Sequence, residues 1–452
     1  MTILFMKKKY QLERFFVTWL MILFMILTDA FTAFAQVKQA TVLVNGISCD
    51  LEQGILKVEF VTPDVVRVQY TGENTFMGNG TDVCLSRTVD NPVRWVYTPN
   101  PDCYLLKSDS LIVRVDLSTA SITYLDKEGR LLLQEDQNIP RISEKRVTKQ
   151  VIYDEHSKHI EKTADGDKEI KNVLRYDIIG HTWKYRINFK WQPLEALYGW
   201  GAHMEDYMNL RGKELYLCQH NLKAMVPVLN STAGYGLLFD AGCAMMFKDN
   251  SEGSFVELEA AKQIDYYFMK GKTMDAVVAN YRLLTGNSPM MPLYLFGYIQ
   301  SKERYVSSDD LINTLKEYRQ RQIPIDMIVQ DWNYWPEGQW GNMSMNPKFY
   351  PDKRKLADEI HSLHAKLMIS IWPNAMNCPQ HEEFKRKGWL LSGTSVYDAF
   401  NPLARKLYWN YANNEFFGNG FDAWWCDASE PLDADWTFMM VMERIIIGNV
   451  GS

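Results

Sequence analysis

Between Gln36 and about Lys270, apolar and polar positions alternate in short runs with a period of two, the signature of half-buried strands. Thr41-Val42-Leu43-Val44, Val58-Glu59-Phe60-Val61, Val65-Val66-Arg67-Val68-Gln69-Tyr70, Leu111-Ile112-Val113-Arg114-Val115 and Ile122-Thr123-Tyr124-Leu125 all read this way. Turn formers separate them, such as Asn45-Gly46, Thr62-Pro63-Asp64 and Lys127-Glu128-Gly129. Many short strands at this spacing predict a β-sandwich. The most charged stretch, Arg141 to Asn172, reads as a long exposed hairpin or loop around Asp165-Gly166-Asp167, a solvated face.

Near Lys272 the period changes. Met274, Val277, Val278, Tyr281 and Leu284 recur at helical spacing, with a stop at Gly286, and Pro289 and Pro292 mark a boundary. Strands and helices then alternate. Leu293 to Gln300 predicts a strand, and Ser307 or Ser308 caps a helix carrying Leu311, Leu315 and Tyr318. Ile325 to Asp331 is the second strand, Asp352 to His364 a helix, and Lys366 to Pro373 the third strand. Phe384 to Lys387 belongs to a short helix, and Asn401-Pro402 opens another. An apolar run then ends at Asp427. Four such repeats predict the first half of a (β/α)8 barrel. A closed barrel takes about 250 residues, and only about 160 follow Pro292, so the reading is of a β-sandwich followed by a truncated barrel. The expected domains are 1–35 signal peptide, 36–271 sandwich, 272–291 linker helix and 292–452 half barrel.

Composition changes this picture only at the N-terminus. Lys7, Lys8, Lys9 and Arg14 precede the apolar run Phe15 to Leu27, and Ala33-Phe34-Ala35 stands before Gln36. That order predicts a secretory signal peptide, with an uncleaved membrane anchor as the alternative, and hence a secreted or periplasmic protein with no membrane partner after cleavage. The formal net charge of −6 gives no basic footprint for nucleic acid. The 7 cysteines form no C-x-x-C pair and, with the 8 histidines, no zinc spacing, so no metal is expected. A Cys84–Cys103 disulfide and buried thiols both fit. His203, Glu205 and Asp206, after Tyr198-Gly199-Trp200-Gly201, read either as site residues or as loop polars.

Candidate chemistry lies at the strand ends, where barrels of this kind carry it. Those ends are Gln300-Ser301-Lys302-Glu303-Arg304-Tyr305, Gln330-Asp331-Trp332, Ile371-Trp372-Pro373 and Cys426-Asp427. Asp331 and Asp427 each close an apolar run, where a charge is costly unless it is paired or at work. Indole faces suit the C–H surfaces of a sugar ring, and carboxylates accept from its hydroxyls. A retaining glycosidase adds an ionised nucleophile and a protonated acid. The expectation is an oligosaccharide substrate, no cofactor and no nucleic acid.

At these residues the chain resembles glycoside hydrolase family 31, and its bacterial α-xylosidase branch most of all. The likeness rests on Gly297-Tyr298-Ile299-Gln300-Ser301-Lys302-Glu303-Arg304-Tyr305, Val329-Gln330-Asp331-Trp332, Gly338-Gln339-Trp340-Gly341, Ile369-Ser370-Ile371-Trp372-Pro373 and Trp424-Trp425-Cys426-Asp427-Ala428-Ser429-Glu430-Pro431. The resemblance implies a galactose-mutarotase-like N-terminal sandwich, a (β/α)8 barrel, and retaining hydrolysis of α-linked glucose or xylose. It puts the nucleophile on Asp427, the hydroxyl binder on Asp331, the stacking indole on Trp372, and Trp332, Trp425 and Glu430 around the substrate. Ile299 stands where relatives carry Trp. The family's acid/base Asp lies beyond the nucleophile, and the chain stops before it. Asp433 and Asp435 are the nearby later acids. The 452 residues taken alone are therefore expected to be inactive.

Overall fold

The computed structural model describes residues 36–76, 83–84, 92–163, 166–205, 208–219, 223–391 and 394–427. The leader reading, Glu430, Asp433 and Asp435 lie outside them. The described chain forms two compact units. One runs up to Lys149 and from Asp177 to Ser288, the other takes in Gln150 to Tyr176 and the chain from Pro289 onward.

The first unit holds an eight-stranded and a ten-stranded antiparallel sheet among the described residues. The predicted alternation is realised residue by residue. In Leu111–Asp116 and Met245–Asn250 every second side chain is buried, and in Ile55–Thr62 Leu56, Val58 and Phe60 point inward. These inner faces share one core, in which Val58, Val68 and Phe268 of the first sheet join Val113, Tyr185 and Phe247 of the second. Tyr124 stacks on Phe268 at 4.0 Å between ring centres. Tyr235–Phe239 is buried at every position. Its second face is covered too, because the helix Met274–Thr285 sets Val277 and Leu284 against Leu238, Tyr267 and Met269. Thr273 caps that helix by accepting from the Ala276 N–H at 3.3 Å.

The sandwich core also contains a charge pair that no local pattern signals. Glu135 is fully buried and is paired with Arg141. The carboxylate also accepts from the Ile122 N–H at 2.8 Å and from Tyr266 Oη at 3.0 Å, and Tyr266 lies 2.9 Å from Tyr124 Oη. Arg141 donates to the Ala120 carbonyl at 3.0 Å. The pairing and hydrogen bonds are what make burial of the two charges tolerable. None of the seven cysteines is in a disulfide, Cys84 and Cys103 included, so the thiol reading applies.

In the second unit, the two arms of the expected hairpin pair, His159–Thr163 running antiparallel to Gly166–Ile170. Beyond Pro289 four parallel strands pair in chain order: Ile299–Gln300, Met327–Gln330, Lys366–Ile371 and Ala423–Cys426. Helices Ser308–Gln320, Lys353–Ser362, Pro379–Arg386 and Pro402–Glu415 fall between them. Ser307, Asp352 and Asn401 cap three of these, accepting from Asp310 N at 3.2 Å, Lys355 N at 2.9 Å and Leu403 N at 2.9 Å. The strands send Ile328, Leu367, Ile369 and Ile371 outward to meet Leu311, Leu315, Leu356 and Ile360 of the helices. This is the strand–helix layering of a (β/α)8 barrel.

One expected strand is mostly something else. Leu293–Phe296 is a 3₁₀ turn with Leu293 and Phe296 exposed, and only Ile299–Gln300 joins the sheet. The apolar run misleads because Pro292 sets up a turn and Gly297 ends it. A Cβ on Gly297 would lie 2.0 Å from Asp326 Oδ2, so the chain passes too close to that carboxylate for a strand side chain.

Candidate active site

Register fixes which side chains share the inner face of the strands. Ser370 pairs with Trp425 and Ile371 with Cys426, and the Asp427 N–H extends the ladder by donating to the Ile371 carbonyl at 3.0 Å. Ile328 on the second strand and Ile369 on the third face the helices, and so does Trp424, which meets Trp409 at 5.8 Å and Phe416 at 6.3 Å. Side chains alternate along a strand. Asp331, Ser370, Trp425 and Asp427 therefore fall on the opposite, inner face, at the C-terminal ends. Asp331 and Asp427 close separate apolar runs of the sequence, and the register brings them onto one rim.

Asp331 is half-buried and its backbone turn is closed by the Trp332 N–H, which donates to Oδ1 at 2.8 Å. Burial pushes its carboxyl above the usual carboxylate range. The Trp332 N–H favours its charge, whereas the charges of Asp427 and Glu303 oppose it. Ser370, on the same face, has a buried Oγ with no hydrogen-bond partner among the described residues. An acceptor whose charge two other acids oppose is suited to donors brought in by a ligand.

The predicted aromatics differ in exposure. Trp425 is 42% exposed, whereas Trp372 is 4% exposed. Trp372 is met edge-on by Trp335 at 5.1 Å and by Trp340 at 6.4 Å. Trp332 sits 5.8 Å from Trp340 and carries the Arg304 guanidinium 5.9 Å from its ring centre. The four indoles make a continuous wall beside Asp331. Trp340, the member in contact with the other three, is held by backbone. The Met376 N–H donates to the Trp340 carbonyl at 2.9 Å, and Gly341 adopts φ 65° with a Cβ position only 2.0 Å from the Asn374 carbonyl.

Several supporting residues had no assigned role in the sequence. Gln330, fully buried, donates to the Tyr305 carbonyl at 3.1 Å and accepts from Tyr350 Oη at 3.1 Å. Tyr350 Oη lies 2.6 Å from the same Tyr305 carbonyl. These bonds tie the loop after the first strand to the base of Asp331. At the opposite end of the fourth strand, Asp422 accepts from Lys366 Nζ at 2.9 Å and the Leu367 N–H at 2.9 Å, and its Oδ2 lies 2.7 Å from His361 Nε2. Burial opposes the Asp422 charge, but His361, the Leu367 N–H and Lys366 outweigh it and hold the carboxyl below its usual range. The sequence offered one signal for these residues, polar side chains interrupting apolar runs. Their partners are distant in the chain and could not be read.

Among the described residues no group of three His, Cys, Asp or Glu is placed to hold a metal ion, and no helix is long and apolar enough to cross a membrane.

Residues 288–445 match the glycosyl hydrolases family 31 TIM-barrel domain, and residues 55–247 match the glycosyl hydrolase 31 N-terminal galactose mutarotase-like domain. An alpha-xylosidase of Saccharolobus solfataricus is 29% identical over 387 residues, covering 83% of this chain and 48% of the relative. A family 31 glucosidase of Pseudescherichia vulneris, otherwise uncharacterised, is 29% identical over 270 residues, 56% of this chain and 50% of its own. The chain thus spans about half the length of these curated relatives. Among solved structures, a family 31 alpha-xylosidase from a soil metagenome, complexed with xylose, superposes with a TM-score of 0.74 at 22% identity, over 91% of this chain and 61% of that one. The alpha-xylosidase of Xanthomonas citri gives 0.71 at 19% identity, over 90% and 61%. These two likenesses concern the fold. With both family domains matched in order over most of its length, the chain belongs to glycoside hydrolase family 31.

Proposed function

We propose that the protein is, in its whole form, a retaining α-glycosidase acting on α-xylosyl oligosaccharides, with Asp427 as nucleophile. The observation that carries this reading is the shared inner rim of Asp331 and Asp427, reached from two strands and flanked by indoles. Asp427 would attack the anomeric carbon, forming a glycosyl ester as the bond to the leaving oxygen breaks. A general acid following the fourth strand protonates that oxygen, and the same group then draws a proton from the water that releases the sugar. Asp331 accepts from ring hydroxyls. Trp332, Trp425 and Glu430 border the sugar, and Trp372 braces the indole wall. No cofactor takes part. The order of the N-terminal residues supports export, to the periplasm or beyond, with removal of residues 1–35. Relatives named for xylose and for glucose both match, so α-glucosides are the second candidate substrates.

Aryl α-xyloside, α-glucoside and α-galactoside hydrolysis by the whole enzyme tests the substrate. A fluorinated xylosyl fluoride that traps the ester, followed by peptide mass spectrometry, tests the nucleophile. Mass added to a peptide lacking Asp427 would refute the assignment. Hydrolysis of the galactoside in preference to the other two would refute the specificity.

A further inference from the structure

The loop after the first strand is held more firmly than a surface loop requires. Tyr305, 1% exposed, has its carbonyl gripped by Gln330 and Tyr350 and its hydroxyl 3.3 Å from Gln300 Nε2. Asp310 accepts from the Val306 N–H at 3.1 Å and lies 3.4 Å from Lys302 Nζ, which in turn sits 4.7 Å from the Tyr305 ring centre. Between these anchors stands Arg304, half-buried, with its guanidinium on the face of Trp332. Among the described residues it makes neither an ion pair nor a hydrogen bond. A flat fork of donors is thus presented on a rigid platform, next to the acceptor Asp331.

We propose that Arg304 is a substrate-contacting residue, its guanidinium donating to vicinal hydroxyls of a neutral pyranose whose other hydroxyls Asp331 accepts. This rests on the carbohydrate reading of the site and extends it to a residue and a charge preference. Guanidinium geometry matches a pair of adjacent oxygens, where an ammonium offers only a point charge. A uronic acid would satisfy the fork as well, but the rim argues against it. Asp427 and Glu303 already work against the charge of Asp331, so another carboxylate would enter a field of its own sign. Arg304 also covers one face of Trp332, which leaves that face to hold the cation and not the sugar.

The test is calorimetric titration of the full chain at pH 7 with methyl α-D-xylopyranoside and with the corresponding methyl α-glucuronoside. Parent, Arg304→Met, Arg304→Lys and Asp331→Asn are compared, with circular dichroism to confirm folding. Arg304→Met should lose about ten- to a hundredfold in xyloside affinity, the worth of charge-assisted hydrogen bonds. Arg304→Lys should lose part of this, and the glucuronoside should bind the parent more weakly than the xyloside. Affinity within twofold of the parent in Arg304→Met, with Asp331→Asn abolished, would overturn the inference and leave the carbohydrate reading intact. Should Arg304→Met not fold, undiminished binding by Arg304→Lys overturns it instead. Tighter binding of the glucuronoside overturns the neutral preference. A parent that binds no pyranoside sinks both readings together.

Discussion

Replacing Glu135 by Gln isolates the energetic role of the buried pair in the sandwich. The substitution keeps the size and an acceptor oxygen but removes the charge, so Arg141, whose side chain is 5% exposed, is left as an uncompensated buried cation. Removing one partner of such a pair costs about 3–5 kcal/mol. The upper part of that range applies here, since the carboxylate also serves the Ile122 N–H and Tyr266, and one of its oxygens becomes an amide donor facing them or the guanidinium. For a unit of this size the loss translates into a fall in Tm of roughly 6–20 °C. Differential scanning calorimetry of the purified chain at pH 7 reads it directly. The double replacement Glu135→Leu with Arg141→Met should recover most of the loss, because an apolar pair of similar volume avoids the desolvation of two charges. A Glu135→Gln protein melting within 2 °C of the parent, or a double variant no better than the single one, would refute this account.

Other expectations concern the barrel unit. Asp422→Asn should destabilise at pH 7 by about 1–3 kcal/mol, the worth of hydrogen bonds to a charged group. The Asp422 folded-state proton affinity is depressed, so its contribution is present above the ordinary carboxylate value of about 4 and is lost as pH falls through the lower folded value. Urea titrations of parent and variant should therefore converge in acid, and a constant gap down to low pH would contradict the assignment. Asp331 has the opposite sign. Its folded value is raised, so its charge weakens the fold at neutral pH, and Asp331→Asn should melt no lower than the parent while losing sugar affinity. A clear loss of Tm would show that Asp331 is a structural anchor. Gly341→Ala should cost about 1–3 kcal/mol and shift the Trp340 loop, by adding a Cβ against the Asn374 carbonyl at positive φ, visible as changed near-ultraviolet dichroism. An unchanged spectrum and Tm would refute that.

Legibility in the sequence followed the range of the interactions. Strands with one wet face announced themselves, as Leu111–Asp116 did, and so did helix starts with a capping side chain, as at Ser307, Asp352 and Asn401. Asp331 and Asp427 were legible because each stands where an apolar run stops. Leu293–Gln300 was misread because hydrophobicity alone cannot tell a strand from an exposed apolar turn, and the close approach of Gly297 to Asp326 is a tertiary fact. The burial of Trp372 under Trp335 and Trp340 depends on a loop folding back, and Glu135 meets Arg141 only once strands are packed. Nothing within a short window encodes either. The stacking of Arg304 on Trp332 joins two loops that are far apart in the chain, so neither segment alone signals it.

The short strand that carries Asp427 is clamped where it enters, by Lys366, His361 and the Leu367 amide on Asp422, and is laddered where it leaves. Five positions separate the two acids, and neighbours point to opposite sides. Length between them is therefore a stricter quantity than identity. Exchange of Ala423 or Trp424 for another apolar residue would leave the Asp427 carboxyl in place. Deleting a single codon there would turn it toward the helices, and a folded protein would emerge with that acid on the wrong side of the sheet.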